Sequence, residues 1–194
     1  MRSIGAISLG VVLAAALVIA GVAGYLRTTH LKTGERPGAF ETRMARLARR
    51  VAVPSEVRGM SNPVPASPEA LSEAMSHFAD HCAVCHANDG GGDTEMGRGL
   101  YPPAPDMRLA ATQALSDGEL FYVIEHGIRF TGMPGWSTGT EAGEEASWRL
   151  VHFIRHLPQL TSDEVERMES QNPRSPDEVR QEIEEEQFLR GANP

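Results

Sequence analysis

The sequence predicts an all-α protein in which one helical domain lies between an apolar N-terminal helix and a charged C-terminal extension. Three observations support this prediction. An uncharged apolar run of 23 residues opens the chain, three amphipathic helix patterns with cap residues occupy its middle, and two further helix-start signals lie in an acidic stretch at its end. The length of 194 residues suits one main domain with attachments.

The apolar run from Ile4 to Leu26 is long enough to cross a bilayer, since it spans about 34 Å as a helix. Arg2 precedes it, as a basic residue precedes the core of an export signal. A cleaved signal peptide is the alternative, with a small-residue cleavage site at 21–23. Because the apolar run continues beyond that site, we predict that residues 1–26 are a retained signal-anchor, a transmembrane helix.

Composition divides the remaining chain into three parts. Residues 27–65 are predicted to be a basic linker or strap, rich in Pro and Ser towards its end, with a short helix in the stretch "TRMARLARR". Residues 66–160 hold the helical domain. Residues 161–194 are an acidic helical extension, with helix starts predicted from the pairs Thr161/Glu164 and Ser175/Glu178.

The charge is unevenly spread along the chain. Residues 27–58 hold eight basic and three acidic residues, whereas residues 66–160 hold five basic and thirteen acidic ones. The formal net charge of −8 argues against nucleic acid as a partner, because phosphate backbones attract Lys and Arg. The basic run is interpreted as solvated surface, with proximity to anionic lipid headgroups as the alternative, at about 1 kcal/mol per charge.

Three helices are predicted in the domain, two from their cap residues and the third from its apolar spacing. The first begins with Ser67 as N-cap and Pro68 at the first helical position. The second has a Ser116/Glu119 capping box and ends at Gly127, and the third runs from about residue 144 to 157. Residues 87–114 are rich in Gly and Pro and lack periodicity, so they predict a long loop of the kind that wraps around a ligand.

The stretch "HCAVCHANDGGG", residues 81–92, contains both cysteines of the chain. A zinc site needs about four ligands, and no second paired cluster accompanies Cys82 and Cys85. A dithiol redox pair requires a βαβ context, whereas this region has helix and loop patterns. The spacing C-x-x-C-H is that of covalent haem attachment. We therefore predict one haem c, held by thioethers to Cys82 and Cys85, with His86 as an axial iron ligand.

The second axial ligand must come from a distant loop on the opposite haem face. Met133 in "TGMPGW" is the best candidate, because it follows the second helix in a non-helical segment that Pro134 restricts. A thioether ligand raises the reduction potential relative to a second histidine. The alternatives to Met133 are Met96, Met107, His126, His152 and His156. The pairs His77/His81 and His152/His156 are interpreted as partly solvated helix faces rather than metal pairs.

The chain resembles the class I c-type cytochromes, specifically small single-haem bacterial members with an N-terminal anchor. The matching stretches are "HFADHCAVCH", "GRGLYPPAPDM", "LSDGELFYVIEHGIRFTGMPGW" and "WRLVHFIRHLP", which together cover about residues 67–158. The resemblance implies the class I cytochrome c fold, with three core helices around a covalently bound haem. It also implies that a backbone carbonyl near Leu100, Tyr101 and Pro102 accepts a hydrogen bond from His86. It implies further that Trp136 or Arg129 approaches a haem propionate.

With both axial positions filled, the expected function is one-electron transfer rather than catalysis. Covalent haem is attached outside the cytoplasm, so we predict a single-pass protein of the bacterial inner membrane with its haem domain on the periplasmic side. This argument outweighs Arg27, Lys32 and Arg36, which follow the anchor and conflict with the positive-inside rule. The expected partners are a redox donor and acceptor with a basic docking face.

Two alternatives to a free carrier remain open. One is a haem enzyme, or a sensor of peroxide or gas, with a labile sixth ligand. The other is a fixed subunit of a respiratory complex, with the acidic extension as its interface.

Overall fold

The computed structural model describes residues 2–29, 32–174 and 176–191. In this part of the chain every regular element is a helix, which confirms the predicted all-α class. The helices are α1 (Arg2–Thr29), α2 (Ala39–Ala52), α3 (Ser55–Arg58), α4 (Pro68–His81), α5 (Ala83–His86), α6 (Glu95–Gly99), α7 (Ala110–Gln113), α8 (Asp117–His126), α9 (Glu141–His156), α10 (Ser162–Glu169) and α11 (Pro176–Leu189).

Helix α1 contains the predicted anchor. Its segment Leu9–Thr28 has a mean hydropathy of 2.4, and none of the segment is buried against the rest of the chain. This helix is long and apolar enough to cross a membrane, so it is a candidate anchor.

The strap after α1 contains the helix predicted from "TRMARLARR". This helix, α2, is 14 residues long and buries none of its side chains. Val53, the residue that follows α2, is 2% exposed. The Arg58 guanidinium donates hydrogen bonds to the carbonyls of Arg50 and Val53. The end of α2 is thereby tied to the short helix α3.

The core forms where α4 crosses α9 and α8 packs against α9. Phe78 of α4 and Phe153 of α9 meet at the crossing, with ring centroids 4.8 Å apart. Phe121 of α8 stacks on Trp148 of α9 at 4.1 Å. Burying large aromatic surfaces at these two contacts fixes the three helices relative to one another.

The cap residues place the helices largely as predicted. Ser67 Oγ accepts a hydrogen bond from Ala70 N at 3.1 Å, and Ser116 with Glu119 forms the capping box that starts α8. Helix α9 begins at Glu141, three residues before its predicted start, because Thr140 Oγ1 accepts from the Gly143 amide. Gly143 in the first turn adds no apolar side chain to the pattern, so the apolar periodicity did not indicate this start.

The segment 87–114 is less irregular than predicted. It contains two short helices, α6 and α7, and Thr94 caps the first by accepting from the Gly97 amide at 2.8 Å. Short helices of one turn bury too few apolar side chains to leave a periodic pattern, so the sequence analysis assigned a continuous loop.

Two helices follow the domain. Helix α10 starts at the predicted Thr161/Glu164 capping box, and its Met168 is 1% exposed and lies in the core. The described side chains of α11, residues 177–189, are all exposed. Ser175, the predicted cap of α11, lies outside the described residues. The domain boundary at residue 160 stays a prediction.

Candidate functional site

The two cysteines and the adjacent histidine lie on one helical turn. The amide of Cys82 bonds the Phe78 carbonyl at 2.8 Å, so the turn continues α4. The amides of Cys85 and His86 both donate to the Cys82 carbonyl, at 3.2 and 3.0 Å. Residues three apart on a helical turn share a face, and the two thiols are therefore neighbours on one side of it. Both are free thiols rather than a disulfide.

Burial favours the uncharged forms of the two thiols and of the His86 imidazole. It raises the pKa of the Cys82 thiol to about 12, and the neighbouring Cys85 adds a smaller contribution of the same sign. Burial also raises the pKa of Cys85 and lowers the pKa of His86. The imidazole is therefore neutral at physiological pH, which is the form that binds a metal ion.

Within the part of the chain that the structure describes, one buried nitrogen of the His86 ring has no hydrogen-bond partner. Its Nδ1 atom is enclosed, and the ring centroid lies 6.4 Å from that of Phe78. Among the described residues no carbonyl accepts a hydrogen bond from this nitrogen, so the bond that the resemblance implies is not formed. Leaving a buried polar atom unpaired costs free energy. Two neighbouring thiols beside such an imidazole fit the attachment of haem c.

Helix α6 clamps the cysteine turn from outside. Thr94 Oγ1 donates to the Val84 carbonyl at 2.7 Å, and a side chain at Gly97 would overlap the Cys85 carbonyl oxygen. Sequence reasoning missed both residues. The signal that was available is the spacing from Thr94 to Gly97 in "DTEMG", which fits an N-cap followed by a close backbone approach.

The chain turns sharply away after the histidine. Ala87 has a φ of 58° and a ψ of 157°, a backbone region that is essentially restricted to glycine. The Gly92 amide donates to the His86 carbonyl at 2.8 Å and secures the return of the loop. The strain at Ala87 is thus held by the packing around the cysteine turn.

Met133 lies in a loop that folds back on the end of α8. Its amide donates to Thr131 Oγ1 at 3.1 Å, and its carbonyl accepts from Ile128 N at 3.1 Å. Further along, the Trp136 amide donates to the Ile124 carbonyl of α8 at 3.0 Å. The Met133 side chain is half-buried, and hydrogen bonds hold both the amide and the carbonyl of its backbone.

The Met133 loop lies next to the other two segments of the candidate site. The ring of Trp136 meets that of His81, one residue before the first cysteine, at a centroid distance of 5.6 Å. A side chain at Gly132 would lie 2.5 Å from the side chain of Leu100, which belongs to the Pro-rich segment 87–114. The fold therefore brings the methionine loop, the cysteine turn and the Pro-rich segment together. The role of Met133 as iron ligand stays a prediction.

The other methionines and one histidine considered as ligands occupy different environments. Met107 is 7% exposed and packs in the core, whereas Met96 is 54% exposed. His126 is exposed at the end of α8 and packs against Tyr122, with ring centroids 4.4 Å apart.

The histidines of the pairs His152/His156 and His77/His81 each contact another residue. His152 Nε2 bonds the Val64 carbonyl at 2.7 Å, and His156 Nε2 contacts Glu164 at 3.0 Å. His77 and His81 meet edge to face, with their ring centroids 4.9 Å apart.

Three residues were predicted to line a haem pocket, and their roles stay predictions. Trp136 is half-buried and packs against the core. Tyr101 donates a hydrogen bond from its hydroxyl to Glu41 of α2 at 2.6 Å, and this bond is the main cause that raises the pKa of Tyr101 to about 12. Pro102 is exposed.

Comparison with known proteins identifies the region that holds this site. Residues 69–154 match the family model described as cytochrome C oxidase, cbb3-type, subunit III. The match begins at the first turn of α4, contains the cysteine turn and Met133, and ends in α9. No curated protein shows a significant match to the chain. Residues 69–154 are therefore a class I c-type cytochrome domain, which serves electron transport through haem iron, and a candidate membrane anchor precedes it.

Proposed function

We propose that this protein is a membrane-tethered cytochrome c with one haem, which carries single electrons between periplasmic or membrane redox partners. The observation that carries the proposal is the cysteine turn. Its two free thiols and the neutral His86 lie side by side within the matched domain. The chain has two cysteines in all, so paired thioethers can hold one haem c.

Each residue of the site has a defined part in this proposal. Bound haem c supplies an iron centre that gains or loses one electron. Cys82 and Cys85 would hold the group by thioether bonds, and His86 and Met133 would ligate its iron. Helix α6 keeps the cysteine turn rigid, and the hydrogen bonds at Met133 keep its loop rigid. Such rigidity keeps the ligand geometry the same in both oxidation states.

We propose the bacterial inner membrane as the location, with α1 as the anchor and the domain on the periplasmic side. The apolar surface of α1 supports the anchor, and the need to attach haem c outside the cytoplasm supports the side. A tether raises the effective concentration of the carrier near membrane-bound donors and acceptors.

The charge of the domain supports a partner with a basic docking face. Residues 66–160 hold five basic and thirteen acidic residues. Charges of opposite sign accelerate the encounter of two proteins, and salt screens them over about 8 Å at physiological ionic strength. Electron transfer to the partner is therefore expected to slow as salt is added.

The visible spectrum of the haem-loaded full chain tests the ligand set. A far-red thioether-to-ferric-iron band and no carbon monoxide binding after reduction are expected for the unaltered protein. Met133→Ala is expected to lose the band and to bind carbon monoxide, because it opens one axial position. Met96→Ala is the control, since Met96 is 54% exposed. This variant is expected to keep the far-red band and to bind no carbon monoxide.

Ready binding of carbon monoxide by the unaltered protein, without the far-red band, would contradict the closed site. It would favour the haem enzyme or sensor instead. An unchanged oxidised spectrum in Met133→Ala would contradict Met133 as the ligand but leave the carrier function standing.

A further inference from the structure

Helix α2 carries an apolar stripe that the described chain leaves uncovered. At about 100° per residue its four large apolar side chains fall within an arc of about 60°. Their exposed fractions are 77% for Phe40, 40% for Met44, 52% for Leu47 and 78% for Val51. A helix that packs on its own domain would bury such a stripe, whereas α2 buries no residue at all.

The charges of α2 favour an anionic surface. Four arginines share the helix with a single acid, Glu41. In the described part of the chain none of the four forms an ion pair, and two of them border the apolar stripe. The arginines are Arg43, Arg46, Arg49 and Arg50, of which Arg43 and Arg50 both lie along one edge of the stripe.

The position of α2 in the chain keeps it close to the end of the candidate anchor. Helix α1 ends at Thr29 and α2 begins at Ala39. The nine residues between them reach at most about 30 Å when fully extended. If α1 crosses a bilayer, α2 lies at or near the surface from which α1 emerges.

We propose that α2 lies in the surface of an anionic bilayer. Its apolar stripe enters the boundary between headgroups and acyl chains, and its arginines contact the lipid phosphates. A basic helix with a narrow apolar face and low overall hydrophobicity is the type that binds in this way. The inference rests on the proposed function in one respect, since it takes α1 as the anchor.

Binding of α2 to lipid would also orient the haem domain. Glu41 on the flank of α2 accepts the hydrogen bond of Tyr101, and Gly34 N, ahead of the helix, donates to the Leu100 carbonyl. Leu100 in turn contacts the loop that carries Met133. The side of the domain that holds the Met133 loop is thereby kept close to the bilayer, within reach of a redox partner embedded there.

Site-directed spin labels on the haem-loaded full chain test the inference. The labels replace Met44→Cys on α2 and, as the matched control, Ile183→Cys on α11. Ile183 is also exposed, at 51%, but its helix is strongly acidic. The haem cysteines are occupied by thioethers, and the iron is kept reduced so that it does not broaden the signals.

The probe is a vesicle of phosphatidylcholine with phosphatidylglycerol, compared with one of phosphatidylcholine alone. Collision of each label with oxygen, which concentrates in lipid, is compared with collision with a nickel chelate, which stays in water. In the mixed vesicles the ratio of oxygen to nickel collisions is expected to be severalfold higher at position 44 than at position 183. The excess is expected to shrink without the anionic lipid, and also in Arg43→Gln/Arg50→Gln.

Three results would overturn the inference, and they differ in what else they contradict. Equal ratios at the two positions in mixed vesicles would place α2 in water. Protection of the label at position 44 from both collision partners would mean that protein, a second copy or a redox partner, covers the stripe. In both cases the protein still floats with vesicles and the tether stands. A protein that floats with neither vesicle type contradicts the tether and the inference together.

Discussion

The imidazole of His81 and the indole of Trp136 meet edge to face, with ring centroids 5.6 Å apart and planes at 87°. His81 is the last residue of α4 and directly precedes the first cysteine, whereas Trp136 follows Met133 by three residues. This contact joins the cysteine turn to the methionine loop, two segments that lie about fifty residues apart in the chain. It therefore helps to set the separation between the two proposed axial ligands.

A double-mutant cycle of His81→Ala and Trp136→Ala measures this contact. Because aromatic pairs add about 0.5–1.5 kcal/mol beyond the burial of their area, we expect a coupling of about that size in the free energy of unfolding. Denaturant unfolding of the haem-loaded protein provides the four values. His126→Ala with Trp136→Ala is the control cycle, and purely additive effects of His81 and Trp136 would show that the rings do not interact.

Gly97→Ala is expected to prevent formation of the cysteine turn. The added methyl group would overlap the Cys85 carbonyl oxygen and lie 2.6 Å from the Gly92 carbonyl oxygen, and neither backbone atom can move freely. The yield of haem-loaded protein on expression provides the measurement. Gly99→Ala in the same helix has nothing within 4 Å and is the matched control, expected to load haem normally. Normal loading of Gly97→Ala would show that α6 does not clamp the turn.

Gly127→Ala is expected to weaken the bond between Met133 and iron. Gly127 has a φ of 66°, and a side chain there would lie 2.5 Å from the Met133 carbonyl oxygen, so the loop must shift. Gly139 also has a positive φ, of 67°, with nothing within 4 Å, so Gly139→Ala tests a positive φ without the contact. Loss of the far-red band in Gly127→Ala alone is the expected result. Equal loss in both variants would assign the effect to backbone strain.

Acid is expected to loosen α10 through the carboxyl of Glu164. The pKa of Glu164 is lowered, first by its hydrogen bond to the Thr161 backbone and then by the Thr161 hydroxyl and His156, against an opposing effect of burial. A carboxyl with a lowered pKa contributes stability above its ordinary value of 4.5, and loses that contribution as the pH falls through the lowered pKa. The protection factors of the α10 amides, which are corrected for the slower intrinsic exchange in acid, are therefore expected to fall below about pH 4.5.

Glu164→Gln is expected to remove this component of the pH dependence, because the amide does not titrate. Glu166→Gln is the matched control, since Glu166 is exposed on the same helix. A pH profile of α10 exchange that Glu164→Gln leaves unchanged would contradict the role of this carboxyl.

The helices whose starts depend on a local side-chain bond could be predicted from the sequence. Ser67, Ser116 and Thr161 each bond a backbone amide three residues ahead, and such a bond needs no tertiary partner. The start of α9 at Glu141 and the short helix α6 were missed, because glycines follow their Thr caps and little apolar surface follows in sequence. Packing against the domain stabilises these helices in addition to their Thr caps.

The sequence by itself determined the chemistry of this protein: two thiols and an imidazole on one turn, a charge-free segment of membrane length, and a basic amphipathic stretch between that segment and the domain. Each of these depends on residue types at short spacing. Only the tertiary structure decided that Trp136 contacts His81, that Gly97 packs on the Cys85 carbonyl, and that the stripe on α2 is left uncovered. Contacts between distant segments depend on how α4, α8 and α9 pack, and local spacing carries no information about that packing.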